Sequence, residues 1–535
     1  MNEAMSEDQR SEAPEQPSPE TDAAAPPLAP PQRPERSTWF LSRWLFLRLL
    51  GLIYLIAFLS LWVQIDGLVG RDGILPAADF LKAVEQQLGA ERYWRLPTLC
   101  WLNASDGFLH FLCGAGVVLS LCVVAGVAPA VALFLLWAIY LSLCTVSREF
   151  LSFQWDILLL ETGFLAIFFA PWKLWPRLTG EAAPSRIALW LLRWLLFRLM
   201  FASGLVKLAS GDATWNNLTA LNYHYETQPL PTWIGWYAHQ LPHWFQTLST
   251  AIMFGIELAV PFLIFTTGLG RTVAAAAFTG LMLLILLTGN YCFFNLLTIA
   301  LCLLLLDDQF WVRVLPRSLA SAAQDNPARP LAPRLRSCLL AGLASVIVLL
   351  SSLEMVARFF GYGSLPKPAA RLLGWNSAFR SINIYGLFAV MTTERPEIVV
   401  EGSADGIIWH AYEFKWKPGD RKRPPAFVQP HQPRLDWQMW FAALGNYRGN
   451  PWFLNFLVRL LHGSPEVLAL LEKNPFPDQP PRFVRAVLYE YHFTDFATRR
   501  KEGTWWRRER KGLYCPEIQL RDGDRKLPGL PAIGA

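Results

Sequence analysis

AFVQPHQPRLDWQMWFAAL, from Ala426 to Leu444, decides how this chain is partitioned. Proline, histidine, glutamine, arginine and aspartate mix here with aromatics, a composition too polar for a bilayer and too aromatic for a linker. The stretch follows a long series of apolar segments. The chain therefore divides into a membrane part and a folded part outside the bilayer.

At 535 residues the chain exceeds one ordinary domain, for which roughly 150 residues is the usual prior. Its hydrophobic fraction of 53% and mean hydropathy of +0.26 exclude a disordered or an ordinary soluble protein. Apolar runs of about 20 residues, the length that crosses a bilayer core, recur through its first two-thirds. Many of the 24 tryptophans sit near the ends of these runs, as in interfacial aromatic belts. The net charge of +6 comes from cations beside apolar runs. That placement points to membrane orientation, and no basic, aromatic-interleaved module suggests a nucleic-acid partner. Most of the eight cysteines lie within apolar runs, with no CxxC and no metal-ligand spacing, so no metal or other cofactor is expected. Cys100 and Cys515 fall outside the spans, which leaves a bridge or two separate thiols open.

Residues 1–37 are rich in Pro, Ala and Glu and lack an apolar signal core, so a disordered tail is expected. The membrane part is expected over 38–360, with a first span from about Phe40 to Ile65 and a short amphipathic helix at Ala77 to Leu88. Further spans read near Gly107–Ala125, Val127–Val146, Leu151–Ala170, Ile187–Leu208 and Thr247–Phe265, with a last one near Cys338–Phe360. As one helix, Thr272 to Leu306 would be about 50 Å long. Thr288, Gly289 and Asn290 offer a turn, so two short spans are expected, giving about nine in all. Arg33, Arg36 and Arg43 then place the N-terminus in the cytoplasm by the positive-inside rule, and Lys173, Arg177, Arg186 and Arg271 fall on the same side. The region 361–535 lies on the outer side.

Five charges fall within spans. Asp156 and Glu161 belong to the fourth, and Arg193, Arg198 and Lys207 to the fifth. Such charges are costly and normally face the bundle interior or a wet cavity. Depth counting sets Glu161 level with Arg198, and Asp156 near Lys207 toward the outer side. The expectation is a polar network, either an ion-pair lattice that fixes helix packing or a cavity for a ligand. Glu257 and Glu354 are further buried candidates, whose partners the sequence does not identify. The outer loop Ser210–Phe245 carries scattered histidines and aromatics, read as interfacial packing with a ligand-facing lid as the alternative.

The C-terminal region reads as a small α+β domain. Glu397–Glu401 and Ile407–Trp416 flank a turn at Ser403–Gly406, helices are expected at Arg434–Leu444, Trp452–Leu461 and Pro465–Lys473, and a strand at Phe483–Phe493. His431, Arg434, Asp436, Trp437 and Trp440 are the candidates for a client-binding surface, since Trp and Arg supply large interface contacts. The competing reading places Asp436 as a helix cap and the tryptophans partly in the core.

FQWDILLLETGFLA (Phe153–Ala166), RWLLFRLMFASGLVKL (Arg193–Leu208), LNYHYETQPLP (Leu221–Pro231), LTGNYCFFNLLT (Leu287–Thr298) and PHQPRLDWQMWFAALG (Pro430–Gly445) resemble the lipase maturation factor family. NPWF at Asn450–Phe453 and NPFP at Asn474–Pro477 extend the likeness. The resemblance implies a multi-pass protein of the endoplasmic reticulum membrane, or of a bacterial inner membrane. It also implies a chaperone-like role toward a secreted lipase, with membrane lipids as the surroundings. The helical part is also distantly similar to the membrane domains of vitamin K-dependent carboxylases, which implies a membrane enzyme as the alternative. No nucleophile elbow, metal motif or phosphate-cradling loop accompanies that alternative, and no inverted repeat of broken helices suggests a transporter.

Overall fold

Close helix packing begins with small residues. A Cβ added to Gly116 would lie 2.4 Å from the Phe58 ring, and one at Gly163 would strike the Tyr54 hydroxyl. Such glycines let helix axes approach where no hydrophobic effect drives helices together. In the computed structural model, which describes residues 38–324, 334–361, 363 and 365–520, they pack a first helix against its neighbours. The expected N-terminal tail, 1–37, lies outside the described residues.

The long helices are α1 (Phe40–Trp62), α2 (Asp106–Ala125), α3 (Pro129–Ser147), α4 (Gln154–Phe169), α5 (Arg186–Ala209), α6 (His243–Phe254), α7 (Leu269–Thr288), α8 (Phe294–Cys302) and α9 (Arg334–Phe360). The amphipathic helix Ala77–Leu88 forms as expected. Among the described residues, seven helical segments are long and apolar enough to cross a membrane. The other two of the nine expected spans are shorter. α4 has 16 residues, about 24 Å at 1.5 Å per residue. α8 runs on to Leu305, and the chain then bends by 110° into Asp308–Val314. α6 continues through a π-helical turn, Gly255–Ala259, and a 3-10 segment, Val260–Phe265.

The α7–α8 hairpin does form. Its turn is tied by Asn290, whose amide donates to Leu230 O at 3.1 Å. The two ends of the bundle can then be told apart. At one end, Asp308 accepts from the amides of Phe40 (2.8 Å) and Leu41 (2.9 Å), capping α1. Lys173 and Glu181 pair there too, in the loop between α4 and α5. At the other end lie the C-terminus of α1, the N-terminus of α4 and the hairpin turn. That end carries the C-terminal region.

The C-terminal region holds helices α10 (Arg434–Ala443) and α11 (Pro451–His462) and strands β1 (Pro396–Ser403), β2 (His410–Ala411), β3 (Glu413–Phe414), β4 (Leu471–Lys473), β5 (Phe483–Phe493) and β6 (Trp506–Ile518). An antiparallel sheet runs β2-β1-β5-β6, and β3-β4 form a second pair. The turn after β1 follows its sequence: Asp405 Oδ1 accepts from the amides of Ile407 (2.8 Å) and Ile408 (2.9 Å). The returning strand is broken into β2 and β3 where one run was expected. Helix was also expected over Pro465–Lys473. Ser464 caps only Pro465–Leu468, and Leu471–Lys473 pairs with β3 as β4. β6 was not anticipated. The architecture is thus mainly α, a polytopic bundle followed by a small α+β region.

Candidate functional site

The polar residues of Pro430–Asp436 are spent on docking α10 against the bundle. Ser60 and Gln64, one turn apart at the end of α1, read this backbone. Ser60 Oγ accepts from Gln432 N at 2.8 Å and lies 2.9 Å from His431 Nδ1. Gln64 donates to Gln432 O at 2.8 Å and accepts from Arg434 N at 2.9 Å. Because the hydroxyl already accepts from Gln432, its own proton is free for His431. Burial, and then Arg434 and Lys415 nearby, pull the His431 pKa down to about 4, so the ring is neutral at pH 7.

Arg434 enters the bundle end and forms a bidentate pair with Asp156 at 2.7 and 2.9 Å. It also donates to Phe150 O at 2.8 Å. Tyr140 donates to the same carboxylate at 2.6 Å. Both charged groups are fully buried, and the fork geometry supplies the partners that a buried ion pair requires. Asp156 was expected near Lys207, but its partner comes from the C-terminal region.

Glu161, five residues along α4, repeats the arrangement. It pairs with Arg198, as depth counting predicted. Its other oxygen accepts from Asn383 N at 2.9 Å and Tyr385 Oη at 2.7 Å, so it too holds a segment from beyond the last span. Beside Arg198 the remaining void is about 10 Å³, room for about one water. Lys207 instead meets Glu257 at 2.7 and 2.9 Å, on the π-helical turn after α6. Arg193 donates to Leu304 O at 2.9 and 2.7 Å. Asp156, Glu161, Arg198 and Lys207 are therefore paired structural charges, and Arg193 serves a backbone carbonyl.

Asp436 does not cap α10. It accepts from the amides of Trp416 (2.8 Å) and Lys417 (2.9 Å), fixing the chain just after β3. Burial raises its pKa, against those two amide hydrogen bonds. The Trp437 ring packs edge-on against Trp155 at 4.7 Å, and Trp440 donates to Thr227 O at 2.8 Å. An exposed client surface was expected from Arg434, Asp436, Trp437 and Trp440. All four are buried, and Arg434, Asp436 and Trp440 bond groups of the same chain.

Two further residues of this seam were missed. Asn290 accepts from Val428 N at 2.8 Å and donates to Ala426 O at 2.8 Å, joining the hairpin turn to the approach to α10. Arg395, fully buried, donates to Glu226 O at 2.6 Å, Pro229 O at 2.9 Å and Glu397 Oε1 at 2.7 Å. It clasps the outer loop onto β1. The loop is held, too, by Glu226, which accepts from Phe493 N at 2.7 Å. The loop is accordingly a packed clasp where a lid was the alternative. His224 within it is partly buried, and desolvation drives its pKa down to about 4, with Lys207 adding to the effect.

Beside α10 the space that remains is mainly apolar. A cavity of about 430 Å³ lies between the Leu387–Thr392 segment, Tyr291 and the far side of α10. Cys100 and Cys515 are both free and buried.

Residues 41–313 match the lipase maturation factor transmembrane domain, and 381–516 match the lipase maturation factor C-terminal domain. The chain belongs to the lipase maturation factor family. It is 38% identical to lipase maturation factor 2 of Homo sapiens, over 90% of this chain and 83% of that protein. It is 36% identical to lipase maturation factor 1 of Mus musculus, over 93% of this chain and 91% of that protein. No solved structure matches it. As a family member this is a multi-pass membrane protein, and both matched segments meet at the seam of Asp156 and Arg434.

Proposed function

We propose that the chain is a membrane-embedded maturation factor that assists the folding and activation of secreted lipases. The observation that carries this is the match of both its halves, in order, to the two parts of the lipase maturation factors. The role is chaperone-like and non-catalytic: the ionisable groups gathered at the seam bond one another and the backbone, which suits a rigid mount for the β-sheet. Arg43, Lys173, Arg177 and Arg271 mark the cytoplasmic side by the positive-inside rule. The C-terminal region, at the opposite end, then faces the lumen of the endoplasmic reticulum, or the periplasm in a bacterium. There it meets its client as the client emerges.

The test is to delete the gene in its host and measure the specific activity of exported lipases and the fraction of their protein that is folded. We expect specific activity to fall at unchanged synthesis, with restoration by the intact gene. Unchanged lipase specific activity in the deletion strain would overturn the proposal.

A further inference from the structure

The cavity beside α10 has walls of one character. Leu387, Phe388, Met391, Trp437, Trp440 and Phe441 supply most of its lining, and Val390 and Leu444 stand at its edge, 65% and 45% exposed. Its one ionisable lining group, Tyr291, already donates to Gln228 Oε1 at 2.9 Å. At about 430 Å³ the space falls within the roughly 300–1,000 Å³ range of small-molecule sites.

We propose that this cavity holds one acyl chain of a lipid. Two observations favour that occupant. A peptide segment would bring an N–H and a C=O with every residue, and these walls offer almost nothing to pair with them. A hydrocarbon chain makes no such demand and gains from burying each methylene. The cavity also lies at the depth where the spans end. Tyr291 sits in the α7–α8 turn, and Phe388 O accepts from Trp215 just beyond α5, at 2.9 Å. The chains of the adjacent leaflet are close by.

The chain could come from a membrane phospholipid or from a free fatty acid, and two probes separate these sources. The full-length protein is placed in phosphatidylcholine nanodiscs. They carry either a phosphatidylcholine with a diazirine in its acyl chain or a long-chain fatty acid with the same group. After irradiation the adducts are mapped by peptide mass spectrometry.

Adducts on Leu387–Thr392 and on α10 are expected in at least one arm, and the arm that labels names the source. Ala389→Trp, which fills the cavity, should lower them at least roughly tenfold, the loss of about two methylene burials. Leu444→Trp is the second filling variant, checked like the first by thermal unfolding. If neither folds, the wild-type adduct map decides. Adducts confined to the exposed faces of α2 and α9 overturn the proposal, as do cavity adducts unaffected by a folded filling variant. So does displacement of the probe by an apolar peptide but not by excess unlabelled lipid. These outcomes are independent of the lipase assay, because binding is read without a client.

Discussion

The two ends of α10 are put to opposite uses. At its start, Arg434 and Asp436 are buried and engaged, one with Asp156 and the other with the amides of Trp416 and Lys417. At its finish, Phe441 and Leu444 are 44% and 45% exposed and border an apolar cavity. One helix thus fastens the C-terminal region at one end and leaves a space open at the other. Polar groups that look like a reactive site are here the fixings. The ligand-sized opening is the part that looks bland.

The fastened end should be the less forgiving. Arg434→Ala leaves Asp156 charged and buried without its partner, which costs about 3–5 kcal/mol for a pair of this kind. Detergent-solubilised protein should show a lower unfolding temperature and earlier tryptic release of the C-terminal region. The double replacement Asp156→Leu with Arg434→Met should recover most of that loss, less the Tyr140 hydroxyl left without an acceptor. If Arg434→Ala melts with the wild type, the seam is not what fastens the region.

Asn290→Ala comes next. It strips hydrogen bonds from Val428 N, Ala426 O and Leu230 O, and unsatisfied buried groups cost about 1–3 kcal/mol each before relaxation and water entry. Hydrogen exchange should rise at Ala426–Gln432 while β5 stays protected. Equal loosening of β5 would mean that the seam and the sheet unfold as one.

Acid offers a milder way to strain the same end. His431 and His224 are each pulled to about 4 by burial, from an unfolded value of about 6.5. The unfolded chain therefore binds these protons first. Their contribution is whole above about pH 6.5 and is lost as pH falls toward 4. The unfolding temperature should drop across that window, and His431→Gln should flatten the slope. An unchanged slope in the variant would assign the effect to other groups.

Much of this architecture was legible. Apolar runs, Trp placement and the Gly289–Asn290 turn located the helices, and depth counting found the Glu161–Arg198 pair. α10, α11 and β5 also read correctly. The true partner of Asp156 was not legible because it lies 278 residues away in another part of the fold, and depth counting sees only the spans. Arg395 and Asn290 bond mainly to backbone, which leaves no pattern in side-chain spacing. β6 was hidden by its own surface. As an edge strand it exposes Arg507 to Lys511 in succession, the charged guard that edge strands carry against mispairing, and such a run shows no alternation. The client-surface reading erred because composition cannot tell a polar group that meets a partner from one that meets its own chain.

The smallest expected effect tests the open end. Leu444 closes α10 with its side chain nearly half in solvent, so only part of the roughly 1.5–3 kcal/mol of a fully buried leucine is at stake. Leu444→Gln should therefore cost about 1 kcal/mol or less, a fraction of the Arg434→Ala penalty only ten residues earlier. The two variants share a helix and a neighbourhood, so detergent and scan rate cancel in the comparison. If Leu444→Gln destabilised the protein as much as Arg434→Ala, α10 would be uniformly packed core and the cavity would be closed in solution. A small thermal cost with weakened acyl labelling would instead locate binding at the end of α10 that the fold leaves free.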